Sequence, residues 1–174
     1  MNVLVVIDMQ NDFIDGAMGN AAAVAVLPPV REKVAAYREM GAPVVFTRDT
    51  HDEDYRRTRE GREQPVIHCI KGTHGWQITD QLDTAGAVTV DKTAFGSLAL
   101  PGVIAELPQV SGVEVVGVCT DVCVISNVLI LKAAFPEWPI TVDASCCAGC
   151  TPEGHRHALE VMKACRITVV NETE

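Results

Sequence analysis

Val3-Leu4-Val5-Val6-Ile7-Asp8 is the stretch that decides the fold: five apolar residues, mostly β-branched, stopped by a carboxylate. A short run with no polar alternation is the pattern of a strand buried on both faces of a parallel sheet. The pattern returns along the chain. Pro43 to Thr47, Ala87 to Val90, Val113 to Val118, Pro139 to Val142 and Arg166 to Val170 read as five further strands. Helical patterns lie between them, at Pro29 to Met40, Ser97 to Leu107, Val122 to Ala134 and Pro152 to Ala164. Pro29 suits a first helical position, where no N–H is needed, and Gly41 suits a C-cap. Asn11 to Asn20 reads as a loop. Strands alternating with helices predict βαβ units. The expected architecture is α/β, a three-layer sandwich with a six-stranded, mostly parallel sheet flanked by helices, in the Rossmann-like manner.

The chain has 174 residues, which fits one domain over 1–174. The charged stretch 48–74 interrupts the alternation, and a long loop in a compact domain is usually functional. The net charge of −9 argues against nucleic acid or an anionic membrane as the main partner. No apolar stretch approaches the roughly 18 residues of a membrane-spanning helix, and the opening MNVLVVIDMQ lacks a basic leader. Seven cysteines cannot all pair with one another. The expectation is a cytoplasmic protein with reduced thiols.

Ligands of open α/β sheets bind beyond the carboxyl ends of the strands. Asp8 and Gln10 follow the first strand, Asp49 and His51 the second, and Lys92 the third. The fourth runs into Cys119-Thr120-Asp121-Val122-Cys123, where a helix begins. A carboxylate, an ammonium and a thiol thus converge on one sheet edge. Only a thiolate is a strong sulfur nucleophile. A lysine and a helix N-terminus stabilise it, a carboxylate can move its proton, and turn N–H groups can hold an oxyanion. Each residue alone has a plainer reading: a buried small hydrophobe for Cys123, a turn residue for Asp8, a solvated side chain for Lys92.

Val6-Ile7-Asp8-Met9-Gln10-Asn11-Asp12-Phe13, Asp91-Lys92-Thr93-Ala94-Phe95-Gly96-Ser97 and Gly117-Val118-Cys119-Thr120-Asp121-Val122-Cys123-Val124 resemble three motifs of one family, in its order. The family is the isochorismatase-like superfamily of cysteine hydrolases, which includes nicotinamidases. The resemblance implies Asp8, Lys92 and Cys123 as a catalytic triad. It also implies a non-proline cis peptide at Val118–Cys119, and an oxyanion hole from the backbone of Cys119 and Cys123. By the same resemblance Asp49, His51 and His68 bind a divalent metal, with Glu60 as a further carboxylate. Oxygen and imidazole donors suit zinc, and manganese or iron as well. From spacing alone, Asp49 and His51 could equally form a surface turn. The resemblance further implies a homo-oligomer.

Phe13 and Phe95 are candidate walls for a flat substrate, with Gln10 as a further contact. Trp76 could pack the loop instead. Cys147 and Cys150 form a C-x-x-C that reads as turn or core residues, with a redox pair as the rival. Cys165 reads as core. Cys119 could close a disulfide on Cys123 under oxidation. His155 and His157 read as a solvated face or a core hydrogen bond. The expected function is cysteine-dependent hydrolysis of a small carboxamide, with nicotinamide first. The rivals are a vinyl ether or carbamoyl and ureido hydrolase of the same fold, a binding module without catalysis, and a thiol redox protein.

Overall fold

Every strand of the sheet runs parallel to its neighbours. In chain order they are β1 (Asn2–Ile7), β2 (Val44–Asp49), β3 (Val88–Lys92), β4 (Gly112–Val118), β5 (Ile140–Ala148) and β6 (Thr168–Val170). Side by side they lie in the order β3-β2-β1-β4-β5-β6. The computed structural model describes residues 1–172. The expected sheet is therefore present, and it is parallel throughout. The helices are α1 (Asn11–Ile14), α2 (Ala21–Glu39), α3 (Arg59–Glu63), α4 (Leu100–Ala105), α5 (Ile125–Ala134) and α6 (Pro152–Ala164). None is long and apolar enough to cross a membrane.

The period-2 alternation of β1 divides the core into two layers. Val3, Val5 and Ile7 pack with Leu100, Ile104, Val128, Leu131, Leu159 and Met162 of α4, α5 and α6. Leu4 and Val6 face the other way, onto Leu27, Val30, Val34 and Tyr37 of α2. Both faces of the sheet are thus covered, which is why the strands read as unbroken apolar runs.

Several boundaries depart from the pattern read in the sequence, and Asn11–Ile14, read there as loop, is the helix α1. Helix α2 begins at Ala21, eight residues before Pro29, so Pro28 and Pro29 lie inside it. The segment before them is alanine-rich, and the Asn20 side chain caps it by accepting from the Ala23 N–H at 2.9 Å. The prolines leave the carbonyls of Val24 and Ala25 without helical donors, and both residues are exposed, so water can serve them. Strand β5 continues to Ala148 because Asp143, which looked like its end, is satisfied inside the protein. Lys33 Nζ lies 2.7 Å from its Oδ2, and Ser145 Oγ donates to Oδ1 at 2.7 Å. Between β4 and α5 the chain makes a π-helical turn, Thr120–Val124, so the helix proper starts later than Val122.

The topology turns at β1 and β4. The chain runs outward one way through β1, β2 and β3, then the other way through β4, β5 and β6. A crevice opens at such a switch point, beyond the strand ends. Gly117 allows β4 to lie against β1 there: its φ is +119°, and a Cβ would collide with the Ile7 carbonyl.

Candidate active site

Asp8, Lys92 and Cys123 meet in that crevice, each delivered by a different strand end. All three are buried. Asp8 follows β1 with φ +48°, a left-handed conformation that aspartate tolerates better than most residues. Its Oδ2 lies 2.7 Å from Lys92 Nζ, and its Oδ1 accepts from Thr47 Oγ1 at 2.6 Å. Lys92 Nζ is also 3.0 Å from Asp49 Oδ1 and 3.5 Å from Cys123 Sγ. The Asp8 carboxylate is close enough to the Cys123 thiol to oppose its ionisation.

Burial dominates the electrostatics. It pushes the Cys123 thiol well above its ordinary value, and the Asp8 charge adds to this; Lys92 opposes both and does not prevail. Burial therefore favours the thiol over the lysine-stabilised thiolate, and a base would have to take its proton. Burial also raises the Asp8 carboxyl, against the pull of Lys92. Lys92 is itself held protonated, because Asp8, Cys123 and Asp49 outweigh the cost of its burial. Burial thus favours the protonated forms of both the thiol and the carboxyl beside a retained ammonium.

The turn that presents Cys123 is fixed by Asn127, a residue that the sequence reading passed over. Its Nδ2 donates to the Cys123 carbonyl at 2.8 Å and the Phe95 carbonyl at 3.1 Å, and its Oδ1 accepts from the Ser97 N–H at 2.9 Å. One buried amide thus holds the Cys123 turn to the loop after Lys92. Only its one-turn offset from Cys123 could have pointed to it. Thr47 was missed for a similar reason, since nothing marks one strand threonine. The Val118–Cys119 peptide is cis, as expected.

The stretch 48–74 folds back on itself instead of standing out. His51 N–H donates to the Cys69 carbonyl at 3.0 Å and Lys71 N–H to the His51 carbonyl at 2.8 Å. This brings His68 to Asp49, His51 and Glu60, whose ligand atoms all lie within 4.8 Å of one another. His51 Nε2 is 2.9 Å from Asp49 Oδ2 and 3.6 Å from Glu60 Oε1. His68 Nε2 is 3.5 Å from Asp49 Oδ2. Donors bound to zinc at about 2.1 Å sit roughly 3.3–3.5 Å from each other in a tetrahedron, so the spacing and the donor set fit such an ion. His68 Nδ1 faces the Val66 carbonyl at 2.9 Å, which leaves Nε2 as the ligating atom. Asp49 joins the two groups, with Oδ1 on Lys92 and Oδ2 on the histidines. Burial opposes its ionisation, but both histidines and Lys92 hold it well below the usual carboxylate range.

A cavity of about 160 Å³ opens over both groups, lined by Phe13, Asp49, Glu60, His68, Phe95, Cys119 and Cys123 together with Met18, Gln64, Val122 and Cys150. Phe13 and Phe95 are thus walls, as expected. Gln10 is not. Its Nε2 donates to the carbonyls of Asp49 and Trp76 at 2.9 and 2.8 Å, and its Oε1 accepts from the Asp49 N–H at 2.7 Å. Its amide is wholly engaged by backbone and serves to clamp Asp49, not to meet a substrate. Trp76 lies under the Arg48 guanidinium, 3.7 Å from the ring centroid. Cys147 faces the core and Cys150 the cavity, so the C-x-x-C does not close on itself. Cys165 is exposed, at the end of α6, where the sequence reading expected core. His155 Nδ1 lies 2.8 Å from Thr120 Oγ1.

The isochorismatase domain model matches residues 2–174. A nicotinamidase/pyrazinamidase of Mycobacterium tuberculosis is 30% identical over 143 residues, covering 71% of this chain and 75% of that protein. A probable inactive nicotinamidase of Arabidopsis thaliana is 31% identical over 173 residues, 92% of this chain and 87% of that one. Among solved structures, the pyrazinamidase of Pyrococcus horikoshii in complex with zinc superposes with a TM-score of 0.87 at 29% identity, covering 98% of this chain and 99% of that one. The parallel sheet agrees with these likenesses, and the family model spans nearly the whole chain: the chain belongs to the isochorismatase family.

Proposed function

We propose that this chain is an amidohydrolase that converts a small, uncharged carboxamide, nicotinamide first, to its acid and ammonia through a thioester on Cys123. The observation that carries the reading is the buried contact set of Cys123. Its sulfur is 3.5 Å from Lys92 Nζ, which in turn lies 2.7 Å from Asp8 Oδ2, beside an apolar cavity that has no arginine or lysine among its described lining residues. A carboxylate substrate, such as a vinyl ether diacid or a carbamoyl amino acid, would find no arginine or lysine among those lining residues, and a divalent cation held there would already be balanced by the charges of Asp49 and Glu60. A neutral amide avoids that cost.

In the first step Asp8 takes the thiol proton as the sulfur bonds to the amide carbon. The N–H groups of Cys119 and Cys123 receive the oxyanion. The C–N bond then breaks, and Asp8 returns the proton to the leaving ammonia. Water attacks the thioester, Asp8 accepts its proton, the C–S bond breaks, and Cys123 regains its hydrogen. Lys92 favours the ionised form of Asp8 between these transfers, against its burial. Asp49, His51, His68 and Glu60 would hold a divalent cation, zinc by donor type and manganese or iron as alternatives. Such an ion supplies a Lewis acid at the cavity edge. Seven free thiols fit a reducing, cytoplasmic setting.

The test is ammonia release from nicotinamide, pyrazinamide and an N-carbamoyl amino acid, together with the metal content of the protein. The reading expects the two neutral amides to turn over faster and about one metal ion per chain, lost in His68→Ala. Preference for the anionic substrate would overturn it.

A further inference from the structure

Two thiols that the proposed reaction does not use stand at the mouth of the same cavity. Cys119 ends the β4 crossing and Cys150 follows the end of β5. The sheet register pairs Val118 with Ala148, which brings the two chain segments side by side as they leave the sheet. Both residues line the cavity together with Cys123. The two thiols are near enough for each to shift the titration of the other. Cys150 is exposed and Cys119 half-buried. Cys147, the apparent sequence partner of Cys150, is buried in the core on the other side of its strand.

We propose that Cys119 and Cys150 are a redox-active dithiol which a small hydroperoxide converts to a disulfide, closing the catalytic cavity. The mutual interaction polarises the pair. It pulls Cys150 below the ordinary thiol value, where burial would have raised it. The same interaction, then burial, pushes Cys119 up. Cys150 is therefore the attacking sulfur. Its thiolate attacks the terminal peroxide oxygen; an S–O bond forms, the O–O bond breaks, and the alcohol leaves with the proton. Cys119 sulfur then attacks the sulfenic acid on Cys150. An S–S bond forms, the S–O bond breaks, and the hydroxyl leaves as water with the Cys119 proton. Two thiols lose two electrons and one hydroperoxide gains them. A small dithiol reverses the change.

The consequence for turnover rests on the function proposed above. Cys119 supplies one proposed oxyanion donor, and its turn is tied to the start of α6: Asp121 Oδ1 accepts from the Cys150 N–H at 2.9 Å. Drawing the two sulfurs into a bond displaces that donor and narrows the entrance.

The test uses the full chain with an alkyl hydroperoxide, alkylation of the remaining thiols and peptide mapping by mass spectrometry. The expected product is a Cys119–Cys150 cross-linked peptide lacking two hydrogens, reversed by dithiothreitol and absent in both Cys150→Ser and Cys119→Ser. Circular dichroism before treatment checks that the variants are folded. Amide turnover of the native chain falls roughly 100-fold in step with the cross-link and returns on reduction. Turnover of Cys150→Ser stays at its own untreated rate under the mild dose that cross-links the native chain. A link from Cys119 to Cys123, a link from Cys150 to Cys147, or free Cys119 and Cys150 beside an oxidised Cys123 overturns the proposal. The mass readout needs no substrate, so loss of the amidase reading leaves the dithiol tested, and amidase activity without the cross-link refutes the dithiol alone.

Discussion

Asp8→Asn removes one charge and changes little else in shape, which makes it the sharpest perturbation of the site. In the native protein Lys92 Nζ has Asp8 Oδ2 at 2.7 Å and Asp49 Oδ1 at 3.0 Å. At an effective dielectric of about 20, a pair of unit charges at such distances attracts by about 6 kcal/mol. Losing that attraction is largely offset, because the substitution also ends the burial of a carboxylate, which costs several kcal/mol. Lys92 keeps Asp49 and the Ala94 carbonyl at 3.2 Å. The net destabilisation is then about 2 kcal/mol, below the 3–5 expected when a buried ion loses its only partner. For a chain of this size that lowers Tm by about 4–8 °C. Activity falls far more. The thiol stays protonated without its base, so kcat drops by roughly 10²–10⁴. The pH profile separates the two effects. The native Asp8 carboxyl is raised above its ordinary value and accepts a proton only when ionised. Turnover therefore falls as pH descends through that raised value, and Asp8→Asn loses this acid limb. Ammonia release and thermal melts on the same samples provide the check. Turnover within tenfold of native, or an unchanged acid limb, would refute the role given to Asp8.

Two other perturbations follow from contacts away from the nucleophile. Gln10→Ala breaks three hydrogen bonds to the backbone of Asp49 and Trp76, so we expect a loss of about 2–4 kcal/mol with KM within about threefold of native; a KM rise without a Tm change would return Gln10 to the substrate. Lys33 lies 2.6 Å from Glu114 and 2.7 Å from Asp143, and Lys33→Met should cost about 2–3 kcal/mol at neutral pH, since it leaves buried carboxylates unpaired. Burial opposes ionisation of Asp143, but Lys33, Ser145 and Asn171 hold its carboxyl down. Because its folded pKa lies below the unfolded value of about 3.9, its stabilisation is present above that value and is lost as pH falls through the folded one. Melts against pH should show this acid loss in the native chain and a flatter one in Lys33→Met.

The parts of the site legible in the sequence were those that a strand end must present. Asp8, Lys92 and Cys123 each follow a run of apolar residues, and a parallel sheet brings such ends together whatever lies between them. The metal-ligand set was legible as residue types, but its closure depends on the fold-back of 48–74 by backbone hydrogen bonds, which leave no mark on composition. Gln10 was misread because a polar residue after a strand looks functional until its partners are known; those partners are carbonyls and an amide, invisible in the sequence. Pro28 and Pro29 hid the first turns of α2, since a proline is a usual helix start and these two are tolerated only on an exposed face. Cys150 was missed because its neighbour in the chain, Cys147, faces the opposite way, while its neighbour in space arrives from another strand.

The central claim is that the sulfur of Cys123 carries the acyl group. Rapid acid quench during turnover of nicotinamide, followed by mass mapping, tests it most directly. The account predicts a nicotinoyl adduct on the peptide that contains Cys123, together with loss of all ammonia release in a folded Cys123→Ala. Sustained turnover in Cys123→Ala, or turnover in the native chain with the acyl group never found on that peptide, would contradict it.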